Sequence, residues 1–232
     1  MSPIIAGIAA FLSVAAFVFY VIAASGYSKN YKVLKNCQWF YYEKKVQLSD
    51  DYFYYGKTDD DYGKLTTDDD YGKLTTTTAV KYFFGLKGFW YSISAHDYRE
   101  FFYYGSLNYD NIDDKCDSPG TSAFALTLVA CIFSFITIIT NGAGGVSEET
   151  AVKAVSAVLS IIASLFGMIA VGVFMTSCYN KCNEIFDDFG DMHYGNGSIL
   201  ALTALFCNFF AFILAIVNIA AGGSTTPLAD QK

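Results

Sequence analysis

The chain has 232 residues and a mass of 25.5 kDa, with 53% hydrophobic and only 16% charged residues and a mean hydropathy of +0.33. That balance excludes a disordered tail or a charged scaffold and reads as a membrane protein. Fifteen Lys and Arg against 22 Asp and Glu give a net charge of -7, which leaves no electrostatic grip on phosphate backbones, so nucleic-acid binding is set aside.

Spanning a hydrocarbon core of roughly 30 Å takes about 20 mostly apolar residues, because backbone in lipid must satisfy its own hydrogen bonds as a helix. Four stretches qualify, at residues 4–24, 122–140, 154–177 and 199–221, and none contains Asp, Glu, Lys, Arg or His. Proton relays and ion-coupled transporters need ionisable groups inside the membrane, so transport by these helices is not expected. The first span lacks a positive n-region and its apolar run is too long for a signal peptide, so it is read as a retained helix.

Residues 25–121 form a long connection. Aromatic residues make up 18% of the chain, yet nearly all the tyrosines and both tryptophans, Trp39 and Trp90, fall between residues 27 and 109. Segments 31–47 and 78–99, rich in Tyr, Phe, Trp, Val and Thr, favour strands. A small antiparallel sheet resting on the helices is expected. Between them an identical nine-residue unit, Asp-Asp-Asp-Tyr-Gly-Lys-Leu-Thr-Thr, occurs twice in succession over residues 59–76. Two units are too few for a solenoid, and the aspartates do not supply the alternating oxygens of an EF-hand loop. A solvated acidic tip is expected there rather than a calcium site.

The second span leads through a short connection, residues 141–153, into the third. Ser147 with Glu148 and Glu149 makes a good helix N-cap, so spans two and three form an antiparallel hairpin. Residues 178–198 form a second, smaller loop before the fourth span, and residues 222–232 a tail. Ala9 with Ser13, Ala163 with Gly167 and Ala211 with Ala215 place small residues four apart, which lets helix backbones approach closely. Asn208 and Asn218 are the notable polar side chains in the spans and are read as interhelical hydrogen bonders. The fold class is thus an α-helical membrane protein, a left-handed four-helix bundle carrying a small antiparallel sheet from the first loop.

Cys131 and Cys207 sit in spans, while Cys37, Cys116, Cys178 and Cys182 all lie on one side of the membrane, in the first and third connections. Lys29, Lys32 and Lys35 would pull the large loop to the cytoplasm, but four cysteines confined to one face fit an oxidising exterior and up to two disulfides. Three connectivities are open. The clamp expected for the sheet is a Cys37–Cys116 bridge, which would tie the ends of the large loop at the membrane and contribute roughly 4 to 5 kcal/mol in the loop-closure model, with Cys178 and Cys182 then paired locally or free. A zinc site built on Cys178, Cys182, His193 and His96 lacks a second strong ligand pair. No nucleophile–base pair, phosphate-cradling glycine loop or other catalytic constellation is evident. No enzyme, metal or cofactor is expected. The glycosylation sequon Asn196-Gly197-Ser198 abuts the fourth span too closely to favour modification.

Four spans, a large strand-rich first loop, a short turn and a smaller second loop resemble the layout of the claudin-like tetraspan superfamily, which includes claudins, peripheral myelin proteins and amastins. Claudins show a Trp and then Gly-Leu-Trp; here Trp39 and Gly85-Leu86 match, with Lys87 in place of the second Trp. The centre of the amastin signature matches Phe83-Phe84-Gly85-Leu86-Lys87, with Val80 and Trp90 at its two cysteine positions. The resemblance implies a non-enzymatic integral protein at the plasma membrane, its large loop extracellular and its sheet held by Trp39, Phe84, Gly85, Leu86 and Trp90. Its partners would be membrane lipids and other membrane proteins or copies of itself, in a homo- or hetero-oligomer with a structural or adhesive role and no small-molecule substrate. The alternative is an accessory subunit of a larger membrane complex.

Overall fold

A computed structural model of the chain describes residues 3–47, 77–93, 98–103, 113–146, 150–186 and 192–223. The duplicated unit at residues 59–76, the Ser147 cap and His96 lie outside the described residues.

Four helices are long and apolar enough to cross a membrane: α1 (Pro3–Ala24), α3 (Asp113–Val146), α4 (Thr150–Phe174, continued by a π-helical turn, Met175–Tyr179, and by α5, Asn180–Phe186) and α6 (Asn196–Gly223). They pack in a ring, α1 against α3, α3 against α4, α4 against α6 and α6 against α1. Two of them run well beyond the predicted spans. Helix α3 begins nine residues earlier than residue 122, passing through Pro119, and α4 with α5 carries the third span on to Phe186. Those added turns rise from the spans toward the sheet.

The bundle is built from small residues inside and large ones outside. Ala16, Ala130, Ser134, Ser160, Ala163, Ala204 and Ala211 are fully buried, whereas Phe11, Ile132, Phe135, Met168, Phe206 and Phe210 are exposed. Water would penalise that arrangement heavily, but lipid chains are as apolar as the exposed side chains, so the helices gain most from close backbone approach and interhelical hydrogen bonds. Several buried hydroxyls donate within their own helices, Ser13 to Ala9 O at 3.0 Å, Thr127 to Ala123 O at 2.7 Å and Ser134 to Ala130 O at 2.8 Å, whereas Ser164 of α4 donates across to Leu205 O of α6 at 3.2 Å. Two longer side chains cross the ring. Tyr20 of α1 reaches Ala163 of α4 with its hydroxyl donating at 3.4 Å, and Asn208 of α6 donates to Ser134 Oγ of α3 at 2.8 Å. Gly167 makes room for the first, since a Cβ there would collide with the Tyr20 hydroxyl. Toward the other end, Asn141 of α3 donates to Ser13 of α1 at 3.0 Å and accepts from Ser156 of α4.

The sheet is antiparallel and five-stranded, in the order β4-β3-β2-β1-β5, with β1 Phe40–Gln47, β2 Thr77–Phe84, β3 Gly88–Ile93, β4 Tyr98–Tyr103 and β5 Met192–Tyr194. The sequence leads one to expect a small antiparallel sheet from the first long connection alone; four of the strands described lie in it. The fifth comes from the second loop and pairs Phe40, Tyr41 and Tyr42 with Tyr194, His193 and Met192. Segment 31–47 is not one strand: Tyr31–Cys37 forms a short helix, α2, whose N-cap Asn30 accepts from Lys32 N at 2.9 Å, and the chain extends only from Phe40. Residues 31–37 carry one aromatic and the helix formers Lys32, Leu34 and Lys35 behind the Asn30 cap, whereas the aromatic run begins only at Trp39.

Candidate functional site

Strand alternation gives the sheet two unlike faces. Phe40, Tyr42, Phe84, Phe89 and Met192 face the bundle and are buried in one cluster with Phe174, Cys116, Cys178 and Cys182. Phe40 stacks on Phe84 at 4.5 Å between ring centroids and meets Tyr179 edge-on at 5.5 Å. Tyr179 in turn donates to Met192 O at 3.1 Å, so the π turn that follows α4 holds strand β5 directly. Burial raises the Tyr42 phenol above its ordinary pKa, with Tyr82 adding to the shift.

Trp39 is the joint of the assembly. Its indole Nε1 donates to Ala23 O of α1 at 3.0 Å, its backbone N donates to Phe84 O of β2 at 2.8 Å, and its carbonyl accepts from Gly195 N at 2.9 Å. The ring meets Phe174 of α4 edge-on at 5.1 Å. One fully buried residue therefore ties the first helix, the sheet, the second loop and the third span together.

The Gly85-Leu86 turn is the second joint. Leu86 N donates to Gly26 O at 2.9 Å and Gly85 N to Gly88 O at 2.9 Å. Gly85 lies against the Gly26 carbonyl and Leu34, and Gly120 of α3 lies under the Leu86 carbonyl, so that neither position has space for a Cβ. Lys87 sets its ammonium 4.7 Å above the Tyr27 ring, which stacks on Phe124 of α3 at 4.2 Å. Of the expected anchors, Trp39, Phe84, Gly85 and Leu86 are buried at this root, while Trp90 is half-buried on the far face.

That far face carries Tyr41, Glu43, Lys81, Phe83, Trp90, Ser92, Arg99 and His193, in register across the five strands. Helix α2 lies along it: Tyr31 meets Phe83 and Trp90 edge-on at 6.0 and 5.5 Å, and the Trp90 indole donates to Lys29 O at 3.2 Å. Arg99 sits 4.5 Å over the Tyr31 ring, and Lys81 pairs with Glu43 at 2.9 Å. Between α2 and strands β1 to β3 lies an open cleft of about 340 Å³. On a chain of net charge -7 this patch brings together Lys35, Lys81 and Arg99 against Glu43, a local excess of positive charge beside aromatic rings.

The cysteines depart from the expected pairing. Cys116, near the start of α3, bonds Cys178 in the π turn, with Cα atoms 4.7 Å apart, and the expected Cys37–Cys116 bridge is not formed. The reason is positional: Cys116 and Cys178 occupy facing ends of the packed pair α3 and α4, whereas α2 ends the 31–37 segment as a helix and leaves Cys37 as a buried free thiol. Burial raises the Cys37 thiol above its usual pKa. Cys178 and Cys182 do not pair locally; Cys182 is free, with its Sγ 3.9 Å from that of Cys116. His193 is remote from this cluster in environment, exposed on the opposite face with its ring 5.2 Å from Tyr41.

Sequence reasoning missed β5, the Trp39 contacts to Ala23 and Gly195, and the Tyr20 crossing. A lone tyrosine inside an otherwise oily first span was the available signal for the last. The sequon residue Asn196 opens α6 and donates to Asn36 O at 3.3 Å. No protein-family model matches the sequence, and no curated protein matches it either.

Proposed function

We propose that this chain is a non-enzymatic, claudin-like tetraspan integral membrane protein, multi-pass in the plasma membrane with a left-handed bundle and its sheet outside the cell. Its role is structural or adhesive: the far face of the sheet contacts other membrane proteins or further copies of the chain, and the bundle's outer surface contacts lipid. The observation that carries this reading is the mounting of the sheet. Trp39, the Gly85-Leu86 turn, the Cys116–Cys178 disulfide and strand β5 fix one face to the helices, and the opposite face presents half-buried aromatics and charges of the kind found at protein contacts.

The experiment is native purification in mild detergent with chemical crosslinking, comparing the wild type with a Trp90→Ala, Arg99→Ala double variant. Crosslinked homo-oligomers, or a heterologous membrane-protein complex that the double variant loses while keeping its surface expression, support the contact role. Recovery of wild type as a monomer with no crosslinked partner overturns it. Fixed-stoichiometry co-purification with one large assembly that survives the double variant supports instead an accessory subunit held through its helices.

A further inference from the structure

We propose that Cys116, Cys178 and Cys182 form a thiol–disulfide exchange site in which Cys116 carries its bond to either of the other two. The three sulfurs lie within 4.8 Å of one another and all three residues are buried. Cys182 Sγ is already 3.9 Å from Cys116 Sγ, a contact distance for two sulfurs. Cys178 and Cys182 are four residues apart along one continuous helical stretch, so both present their side chains to the same neighbour, one turn apart. Cys37, the other free thiol near the sheet, is not part of this cluster.

The step balances without an outside oxidant. Cys182 gives up its proton and its thiolate attacks Cys116 Sγ; the Cys182–Cys116 bond forms as the Cys116–Cys178 bond breaks. The released electron pair stays on Cys178 Sγ, which takes up a proton. One disulfide and one thiol are present before and after. The sulfurs are arranged as a triangle rather than a line, so a side-chain rotation of Cys182 precedes the attack.

The two pairings hold different parts of the chain. With Cys178 bonded, the π turn at Met175–Tyr179 is clamped to α3. With Cys182 bonded, the clamp passes to α5, which leads into β5 and so to the edge of the sheet on β1. A π turn is a one-residue excess in an α-helix, a place where helical register is easily reset. The exchange would therefore set which side of that turn is fixed.

Peptide mapping of the full-length oxidised protein in detergent micelles tests this. Lys181 lies between the two cysteines, so tryptic cleavage separates them and assigns the bond. Burial pushes the Cys182 thiol up to about 12, so wild-type protein is held at about pH 9.5 to raise its thiolate fraction, with no added thiol; acid-quenched and alkylated, it is expected to yield both Cys116–Cys178 and Cys116–Cys182 peptides. The Cys178→Ala variant is expected to form Cys116–Cys182 almost completely, and Cys182→Ala to yield Cys116–Cys178 alone. A folded Cys178→Ala protein in which Cys116 and Cys182 are both alkylated, or in which Cys116 bonds Cys37, overturns the proposal. Should that variant fail to fold, the wild-type experiment decides alone: a single Cys116–Cys178 species after prolonged incubation rejects it.

Discussion

The bundle interior and the root of the sheet are both close-packed, and they are packed by opposite rules. Between the helices most buried positions are Ala, Gly, Ser and Thr, crossed by Tyr20, Asn141 and Asn208, with most large apolar side chains turned outward; under the sheet the largest buried side chains are Trp, Tyr, Phe and Leu. For helices surrounded by lipid, burying a large apolar side chain gains little over leaving it in the bilayer, and backbone proximity decides. At the root of the sheet the aromatic rings pack against one another and against the helix ends, and each buries a large apolar surface. The border between the two rules runs through Ala23, Trp39, Phe174 and Cys178, which is where the chain concentrates its cross-links.

The largest effect is expected at that border. Trp39→Ala removes the indole that bridges Ala23 and Phe174, and deleting a fully buried aromatic of this kind costs roughly 3 to 5 kcal/mol. Limited proteolysis should cut the variant within strands β1, β2 and β3 under conditions where those strands of the wild type resist, with helical circular dichroism nearly unchanged. Simultaneous loss of helix would mean that the two regions fold as one and would erase the contrast between them.

Gly167→Leu attacks the bundle from the other side. The added side chain displaces Tyr20 from its crossing to Ala163, and overpacking of a filled interior costs about 1 to 3 kcal/mol. Thermal unfolding in detergent should shift downward while the protease resistance of the sheet persists. Tolerance of leucine without a shift would show that the helices are not held at the separation that small residues permit. Asn208→Leu is a milder version of the same test: it deletes one interhelical hydrogen bond to Ser134, worth about 0.6 kcal/mol on average and up to roughly 1.7 in membrane bundles.

Much of this contrast was legible in the sequence. The four spans, their small residues at four-residue spacing and the gathering of Tyr and Trp in one connection are local patterns, set by composition and period. The anchors Trp39, Phe84, Gly85 and Leu86 could be named because of their motif, but their partners could not, since Ala23, Gly26, Gly120 and Gly195 carry no side-chain signal and act through backbone atoms. The disulfide failed for a similar reason. Chain proximity to the spans made Cys37 and Cys116 look like the two ends of one loop, but helix α2 intervenes, and the facing ends of α3 and α4 bring Cys116 to Cys178 instead. Strand β5 is three residues long, too short for any alternation to announce it.

The smallest stability change is expected on the far face, where the test is of separation between folding and contact. Glu43 and Lys81 form a partly exposed cross-strand pair at 2.9 Å, and such pairs contribute about 0 to 1 kcal/mol because solvent screens them and two side chains must be ordered. Glu43→Gln should therefore leave the unfolding temperature within a few degrees of wild type, on the order of the shift that 1 kcal/mol produces. It also removes the one carboxylate that lines the cleft among the described residues, beside Lys35 and Lys81, so the patch becomes more positive. If the far face is a contact surface, crosslinking yield in the native membrane should change in a salt-dependent way while stability does not. An unfolding shift as large as that of Gly167→Leu would instead assign Glu43 to the support of the sheet, and the two faces would no longer differ in kind.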